Sequence, residues 1–446
     1  MNAMAKSPAF GARKRRKSPA KSRAHAHKAK PPPAGTAPPV SPLAPRSFAN
    51  LLPLAGVRMA AGAAGVRYRD RTDVLMVVMA PGTQVAGSFT RSKTAAAPVE
   101  WCKTHLPRGV ARALVINSGN ANAFTGKAGR DSVRQIAEST AAFLDCHAHE
   151  VFLASTGVIG EPLPTAKILR ILGTLAESGA AGGWRGAAEA IMTTDTYPKM
   201  AMRRSQIDGV KVTINGIAKG SGMIAPDMST MLAFIFTDAN LPAPVLQDLL
   251  SASVKGSFNA ITVDNDTSTS DTVLMFATGR GAHHPSIPKA ADVRLADFRR
   301  KLDEVLLDLA LQVVRDGEGA RKLIRIDIGG AESDASARKI GMAVANSPLV
   351  KTAIGGGDAN WGRVVMAVGK AGEPADRDRL KISFGGHVVA EKGMRAENYD
   401  ERAITKAVAG REVAITIDLD LGLGKATVWT CDLTEEYVRI NGSYRS

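Results

Sequence analysis

The chain has 446 residues, 45% of them hydrophobic, enough to bury a sizeable core and, at ordinary domain sizes, to form two or three domains. Lys plus Arg number 58 against 42 Asp plus Glu, a formal net charge of +16; eleven of the basic residues fall within residues 1–46, where no acidic residue occurs, so the other 400 residues carry only +5. That distribution, with aromatics at 5%, argues against a nucleic-acid-binding body; attraction through the basic tail would be non-specific and would weaken steeply with salt. No run approaches the roughly 18 apolar residues that cross a bilayer, and no apolar signal core is present. Three scattered cysteines fit a reducing compartment, and the expected location is the cytoplasm.

Residues 1–46 are built from Ala, Lys, Arg and Pro, a composition that cannot bury enough apolar area to offset chain entropy, and they are expected to be a disordered tail. An Arg-rich, acid-free segment also suits a mitochondrial presequence, which would imply the matrix. The packed cluster Arg13-Lys14-Arg15-Arg16-Lys17 spoils the amphipathic spacing of such a helix, so a solvated tail is favoured. From Phe48 onward, β-branched runs alternate with amphipathic stretches. The pattern predicts strands at 73–80, 112–117, 151–155, 210–215, 231–237, 272–278, 323–328, 380–383, 413–418 and 425–430. Helices are predicted at 129–145, 166–175, 244–254, 295–315, 336–345 and 401–409. The 295–315 helix is the clearest, with Leu295, Phe298, Leu302, Val305, Leu306, Leu309 and Val313 on one face. The fold class is mixed α/β, an α+β sandwich-like arrangement, since the irregular order does not suit a doubly wound parallel sheet.

Several motifs fail. Residues 87–94 end in Lys93-Thr94 like a phosphate-binding loop, but Ser92 stands where that loop needs Gly. The glycine-rich stretch 355–362 lacks G-x-G-x-x-G and reads as a turn. Cys146, His147, His149 and Glu150 have no second cluster to complete a zinc site, so no metal is expected. His283-His284 reads as a loop tip, and the absence of G-x-S-x-G leaves a Ser-His-Asp hydrolase unsupported.

The informative segment runs from Gly216 to Asp238, where a Gly- and Pro-containing loop meets a strand that begins at Thr230. One reading is a plain loop-to-strand junction with a β-branched residue. The other makes Thr230 a nucleophile without a histidine: cutting the bond before it would free an α-amine beside the hydroxyl, with a reference pKa of about 7.7–8.0.

Residues 219–232, Lys219-Gly220-Ser221-Gly222-Met223-Ile224-Ala225-Pro226-Asp227-Met228-Ser229-Thr230-Met231-Leu232, closely resemble the self-cleavage segment of the ornithine acetyltransferase family. That family's pattern is K-G-[SA]-G-M-[IL]-x-P-x-[ML]-A-T-M-L, and the one departure is Ser229 for the usual Ala. Further matching blocks are 117–122 (Asn-Ser-Gly-Asn-Ala-Asn), 155–160 (Ser-Thr-Gly-Val-Ile-Gly), 192–199 (Met-Thr-Thr-Asp-Thr-Tyr-Pro-Lys), 262–269 (Thr-Val-Asp-Asn-Asp-Thr-Ser-Thr), 316–320 (Asp-Gly-Glu-Gly-Ala), 357–363 (Gly-Asp-Ala-Asn-Trp-Gly-Arg) and 437–446 (Tyr-Val-Arg-Ile-Asn-Gly-Ser-Tyr-Arg-Ser). The resemblance covers roughly residues 45–446.

The resemblance implies self-cleavage between Ser229 and Thr230 into an α chain, 47–229 after the tail, and a β chain, 230–446, assembled as two copies of each. It implies Thr230 as nucleophile, Thr156 and Gly157 as the oxyanion hole, and substrate contacts at Thr193, Lys219, Thr230, Glu318, Asn441 and Ser446. Lys219 suits an α-carboxylate and Glu318 the ornithine ammonium. The implied reaction passes an acetyl group from N2-acetyl-L-ornithine through acetyl-Thr230 to L-glutamate, without a cofactor. Some members also take acetyl-CoA as acetyl donor. The alternatives are a self-processing amidohydrolase or aminopeptidase, in which water takes the acyl group, and charge-driven nucleic-acid binding through the tail.

Overall fold

The computed structural model describes residues 39–67, 71–225 and 231–442. Ser229, Thr230 and Ser446 lie outside the described residues, as do residues 1–38. Eight strands form one sheet: β1 (Val57–Gly62), β2 (Val74–Phe89), β3 (Val110–Asn120), β4 (Val151–Val158), β5 (Lys199–Ile207), β6 (Val210–Lys219), β7 (Leu232–Thr237) and β8 (Thr272–Ala277). Their order is β4-β3-β2-β8-β7-β6-β5, with β1 paired to β2 off that path. The pairs β3/β4 and β7/β8 are parallel and the others antiparallel.

The sheet folds on itself at β2. Between Val78 and Thr83 the register with β3 shifts, at Pro81 and at Gly82, whose φ is 84°. The first half of β2 pairs with β1 and β3, and residues 84–89 pair with β8. Phe152 on β4 and Phe276 on β8 are three strand spacings apart, about 14 Å in a flat sheet. Their rings nevertheless meet edge-on with centroids 6.3 Å apart. Leu75, Val77, Leu114 and Ile116 from one half and Phe234, Phe236, Leu274 and Phe276 from the other share the core between them. The opposite parity of β2, Val74, Met76 and Val78, packs under the helices Gly126–Leu144 and Thr165–Ser178. The helices Ala243–Lys255 and Ala296–Arg315 cover β5–β8 on the other outside. β7 and β8, buried on both faces, read in the sequence as continuous apolar runs rather than alternation.

A second sheet follows in the chain: β9 (Leu323–Ala331), β10 (Lys381–Phe384), β11 (His387–Glu391), β12 (Met394–Arg395), β13 (Glu412–Asp418) and β14 (Gly424–Cys431), in the order β12-β11-β10-β13-β9-β14. Helices between Asp334 and Ala409 cover it. Leu323 of β9 and Cys431 of β14 belong to the core beneath Ala296–Arg315, which joins the two sheets.

The mixed α/β class predicted from the pattern is what the molecule adopts. The helix predicted at 295–315 spans Ala296–Arg315, with Phe298, Leu302, Val305, Leu306, Leu309 and Val313 all buried. Helices Ala97–His105, Trp184–Ala190, Pro348–Gly355, Trp361–Gly369 and Glu435–Asn441 were not predicted, since two turns or so give periodicity little to register; of the helices this short only Glu401–Ala409 was picked out. The folded body also takes in part of the stretch that composition assigned to the tail: Leu43 is buried in the core, and Ser41 bonds Thr196 and the Arg315 carbonyl. His284 is no loop tip; it is fully buried, and its Nε2 accepts the Asn240 N–H at 3.0 Å. Among the described residues no helix is long and apolar enough to cross a membrane.

Candidate active site

The ends of β4 and β6, the segment before β5, the segment before β8 and the chain after Arg315 converge on a cavity of about 550 Å³. Thr156 and Gly157 enter it from β4, beside an irregularity where β3 and β4 shift register at Gly119/Asn120. Gly157 has φ 130°, and a Cβ there would lie 2.3 Å from the Gly119 carbonyl carbon, so only glycine fits this close backbone approach.

Lys219, the last residue of β6, is 3% exposed, and its Nζ donates to Thr156 Oγ1 at 3.1 Å. Burial pulls its pKa below the ordinary lysine range, against the opposing pull of Asp195. Asp195 is the organiser behind this wall. Its Oδ1 accepts from Lys199 Nζ at 2.6 Å and from the Gly220 N–H at 2.7 Å, and its Oδ2 accepts the Thr193 N–H at 3.0 Å. One carboxylate therefore fixes both Thr193 and the residue that follows Lys219. Burial opposes its ionisation, but the charges of Lys199 and Lys219 and those hydrogen bonds prevail and hold it below the usual carboxylate range. Lys199 is fully buried and also reaches Asp316 Oδ2 at 2.6 Å; the two carboxylates outweigh burial and raise its pKa.

Glu318, 8% exposed, sits opposite, with its N–H on the Ser221 carbonyl at 3.0 Å and its Oε2 accepting from Asn441 Nδ2 at 2.7 Å. Burial raises its pKa, against the hydrogen bonds from Asn441 and Thr194. Asn441 ends the helix Glu435–Asn441, which Thr434 ties to the Gly319 carbonyl at 2.8 Å, so this terminal helix is docked rather than frayed. At the rim, Arg67 and Glu161 pair at 3.4 Å.

Two more carboxyl groups, of half-buried Asp264 and fully buried Asp271, grip the chain on either side of residues 226–230. Asp264 accepts the Met223 and Ile224 N–H groups at 2.7 and 2.9 Å. Asp271 accepts the Met231 N–H at 3.0 Å through Oδ1, while Oδ2 is buried with no hydrogen-bond partner among the described residues. Burial raises the Asp271 pKa well above the carboxylate range.

Of the residues expected at the site, Thr156, Gly157, Thr193, Lys219, Glu318 and Asn441 all line this one cavity. The glycine-rich stretch 355–362 does not. Asp195, Lys199, Asp264, Asp271 and Arg67 were not singled out in the sequence. Asp195 and Lys199 lie within the 192–199 block and Asp264 within 262–269, so those blocks were the available signal.

A family model described as the ArgJ family matches residues 58–446. The chain belongs to the ArgJ family. The arginine biosynthesis bifunctional protein ArgJ of Rhizobium meliloti (strain 1021) is 59% identical over 409 residues, 91% of this chain and 99% of the relative. The crystal structure of arginine biosynthesis bifunctional protein argJ from Bacillus halodurans is 39% identical, over 47% of this chain and 98% of that one, with a TM-score of 0.46. An ornithine acetyltransferase from Mycobacterium tuberculosis, complexed with ornithine, is 39% identical over 39% of this ArgJ-family chain and 92% of its own, with a TM-score of 0.35.

Proposed function

We propose that this ArgJ-family chain is an acetyltransferase of arginine biosynthesis, moving an acetyl group from N2-acetyl-L-ornithine to L-glutamate through an ester on Thr230. The observation that carries this reading is convergence: six residues from five separate stretches of chain (Thr156 and Gly157, Thr193, Lys219, Glu318, Asn441) line one cavity.

In the unbroken chain the nitrogen of Thr230 is an amide and cannot serve as a base. Attack of the Thr230 hydroxyl on the Ser229 carbonyl moves the acyl group from nitrogen to oxygen, and water then hydrolyses the ester, leaving chains that end at Ser229 and begin at Thr230. The freed amine takes the hydroxyl proton as Thr230 attacks the acetyl carbonyl of the donor. Thr156 O–H and Gly157 N–H receive the oxyanion, and removing one such donor costs about 2.7–4 kcal/mol of transition-state stabilisation. Ornithine leaves with the proton; glutamate then attacks the ester and departs as N-acetylglutamate. Glu318 suits the ornithine ammonium: its burial disfavours the carboxylate until an opposite charge arrives.

No cofactor takes part in this scheme, and acetyl-CoA is a second acetyl donor for making N-acetylglutamate afresh. The two chains stay together because β6, upstream of the cut, pairs along its length with β7, downstream of it. The assembly is two copies of each chain, in the cytoplasm, with the basic tail solvated and binding no specific nucleic acid.

Intact-mass measurement with N-terminal sequencing of the smaller fragment tests the cleavage, and an assay with N2-acetyl-L-ornithine and glutamate tests the transfer. An active, unbroken polypeptide, or a smaller fragment that begins elsewhere than Thr230, overturns the proposal. Acetyl release to water, unaffected by glutamate, would favour the self-processing amidohydrolase.

A further inference from the structure

The hydrogen bond between Lys219 and Thr156 has a direction that chemistry dictates. An ammonium has three donors and no acceptor, whereas a hydroxyl has one donor and two acceptor sites. At 3.1 Å, therefore, the Thr156 oxygen accepts and Lys219 Nζ donates. The one O–H of Thr156 must point elsewhere, and Thr156 lines the cavity. Lys219 is itself almost fully buried at the end of β6, and it lines the same cavity beside the hydroxyl it bonds.

We propose that Lys219 is a positioning residue that acts through Thr156, its ammonium occupying a lone pair of the hydroxyl and so turning the O–H toward the place where the oxyanion forms. The inference rests on the reading of Thr156 as an oxyanion donor, and it takes the place of the carboxylate-binding role expected of Lys219.

The same pair has a second state. When Nζ loses a proton to solvent, the neutral amine keeps two N–H donors but gains a lone pair, so Thr156 is free to donate to it and turn its O–H away from the cavity; no bond between heavy atoms changes. The groups that set this equilibrium are Asp195 and Lys199 from before and within β5, Asp271 from before β8 and Glu318 from after Ala296–Arg315. Burial dominates and favours the neutral amine, Lys199 adds to it, and the three carboxyl groups oppose it. The hydroxyl is therefore expected to switch off below the pH at which an exposed lysine titrates.

The test is kcat and KM for acetyl transfer across pH in the cleaved wild-type enzyme, T156A, K219M and the double variant. The expected result is that K219M lowers kcat by about 100-fold, the scale of one lost oxyanion donor, with KM within about twofold. In the T156A background the same substitution costs less than about threefold more, as a shared pathway requires. The alkaline fall of kcat expected in wild type is absent from T156A. A raised KM with unchanged kcat in K219M, additive losses in the double variant, or an alkaline fall that persists in T156A each overturns the proposal. Should K219M fail to fold, the comparison of wild type with T156A decides alone. Failure of the functional reading looks different: wild-type protein transfers no acetyl group at any pH.

Discussion

A methyl group added at Gly222 would lie 2.5 Å from Glu318 Oε2 and 2.7 Å from Oε1, nearer than real contacts permit. The space that glycine leaves empty is thus where the Glu318 carboxyl meets Asn441. Because the obstructing atoms are the far end of a flexible side chain, G222A moves Glu318 rather than breaking the fold. It is expected to raise KM for N2-acetyl-L-ornithine about tenfold, while stability stays within the ~0.5 kcal/mol typical of mild substitutions. Steady-state kinetics beside a thermal melt check this; an unchanged KM with a large fall in Tm would make the contact one of packing only.

Lys199 lies between Asp195 and Asp316 at 2.6 Å from each, with all three side chains fully buried. K199M leaves two buried carboxylates facing each other without the cation between them, and should cost about 3–5 kcal/mol of unfolding free energy. Urea denaturation measures it, and a loss below about 1 kcal/mol would show that the triad is not electrostatically coupled.

Asp271 and Asp195 pull stability in opposite directions with pH. Burial raises the Asp271 pKa in the folded state, so its contribution is complete below the unfolded value of about 3.9 and is lost as pH rises toward the folded value. The depressed pKa of Asp195 gives the reverse, a contribution present above about pH 3.9 and lost on acidification. D271N cannot lose its proton, so its stability relative to wild type should climb steadily from about pH 4 upward. Denaturation midpoints at a series of pH values report that difference; one that stays flat over the range removes Asp271 from the account.

At Gly157 the backbone itself is the obstacle. G157A forces a side chain onto φ 130° and against Gly119, whose main chain cannot swing aside as a carboxyl can. It should lose acetyl transfer together with about 2 kcal/mol or more of stability, the scale of a special backbone position compounded by overpacking. A G157A enzyme of wild-type activity would refute the role of this close approach.

Removing residues 441–446 takes away the Asn441 amide that bonds Glu318. The helix Glu435–Asn441 buries none of its residues, so the truncated protein should fold and melt as wild type does yet lose activity. Activity that survives the truncation would place Asn441 outside the working site.

Much of the fold was legible residue by residue. The three- and four-residue steps of Phe298, Leu302, Val305 and Leu309 placed the longest helix to within a residue, because a helix buried on one face must repeat with its own period. The runs that became β7 and β8 were equally plain, since strands buried on both faces carry apolar side chains throughout. Strand β5 was not, because Arg203, Arg204 and Gln206 interrupt its apolar residues. The segment around Thr230, and the family to which it belongs, could likewise be read from a local string of residues.

Which charges meet could not be read that way. Lys199 finds one carboxylate four positions away and the other 117 positions away, and Lys219 reaches a hydroxyl 63 positions earlier. Those pairings follow from the bend in β2, which lays one half of the sheet over the other, and from the packing of Ala296–Arg315, which delivers Asp316 and Glu318 to the ends of the strands. Local periodicity records only whether a residue faces a core. The partner of a buried charge is chosen by chain segments far away in sequence, and so only tertiary packing decides which lysine is held by carboxylates and which is left against a threonine.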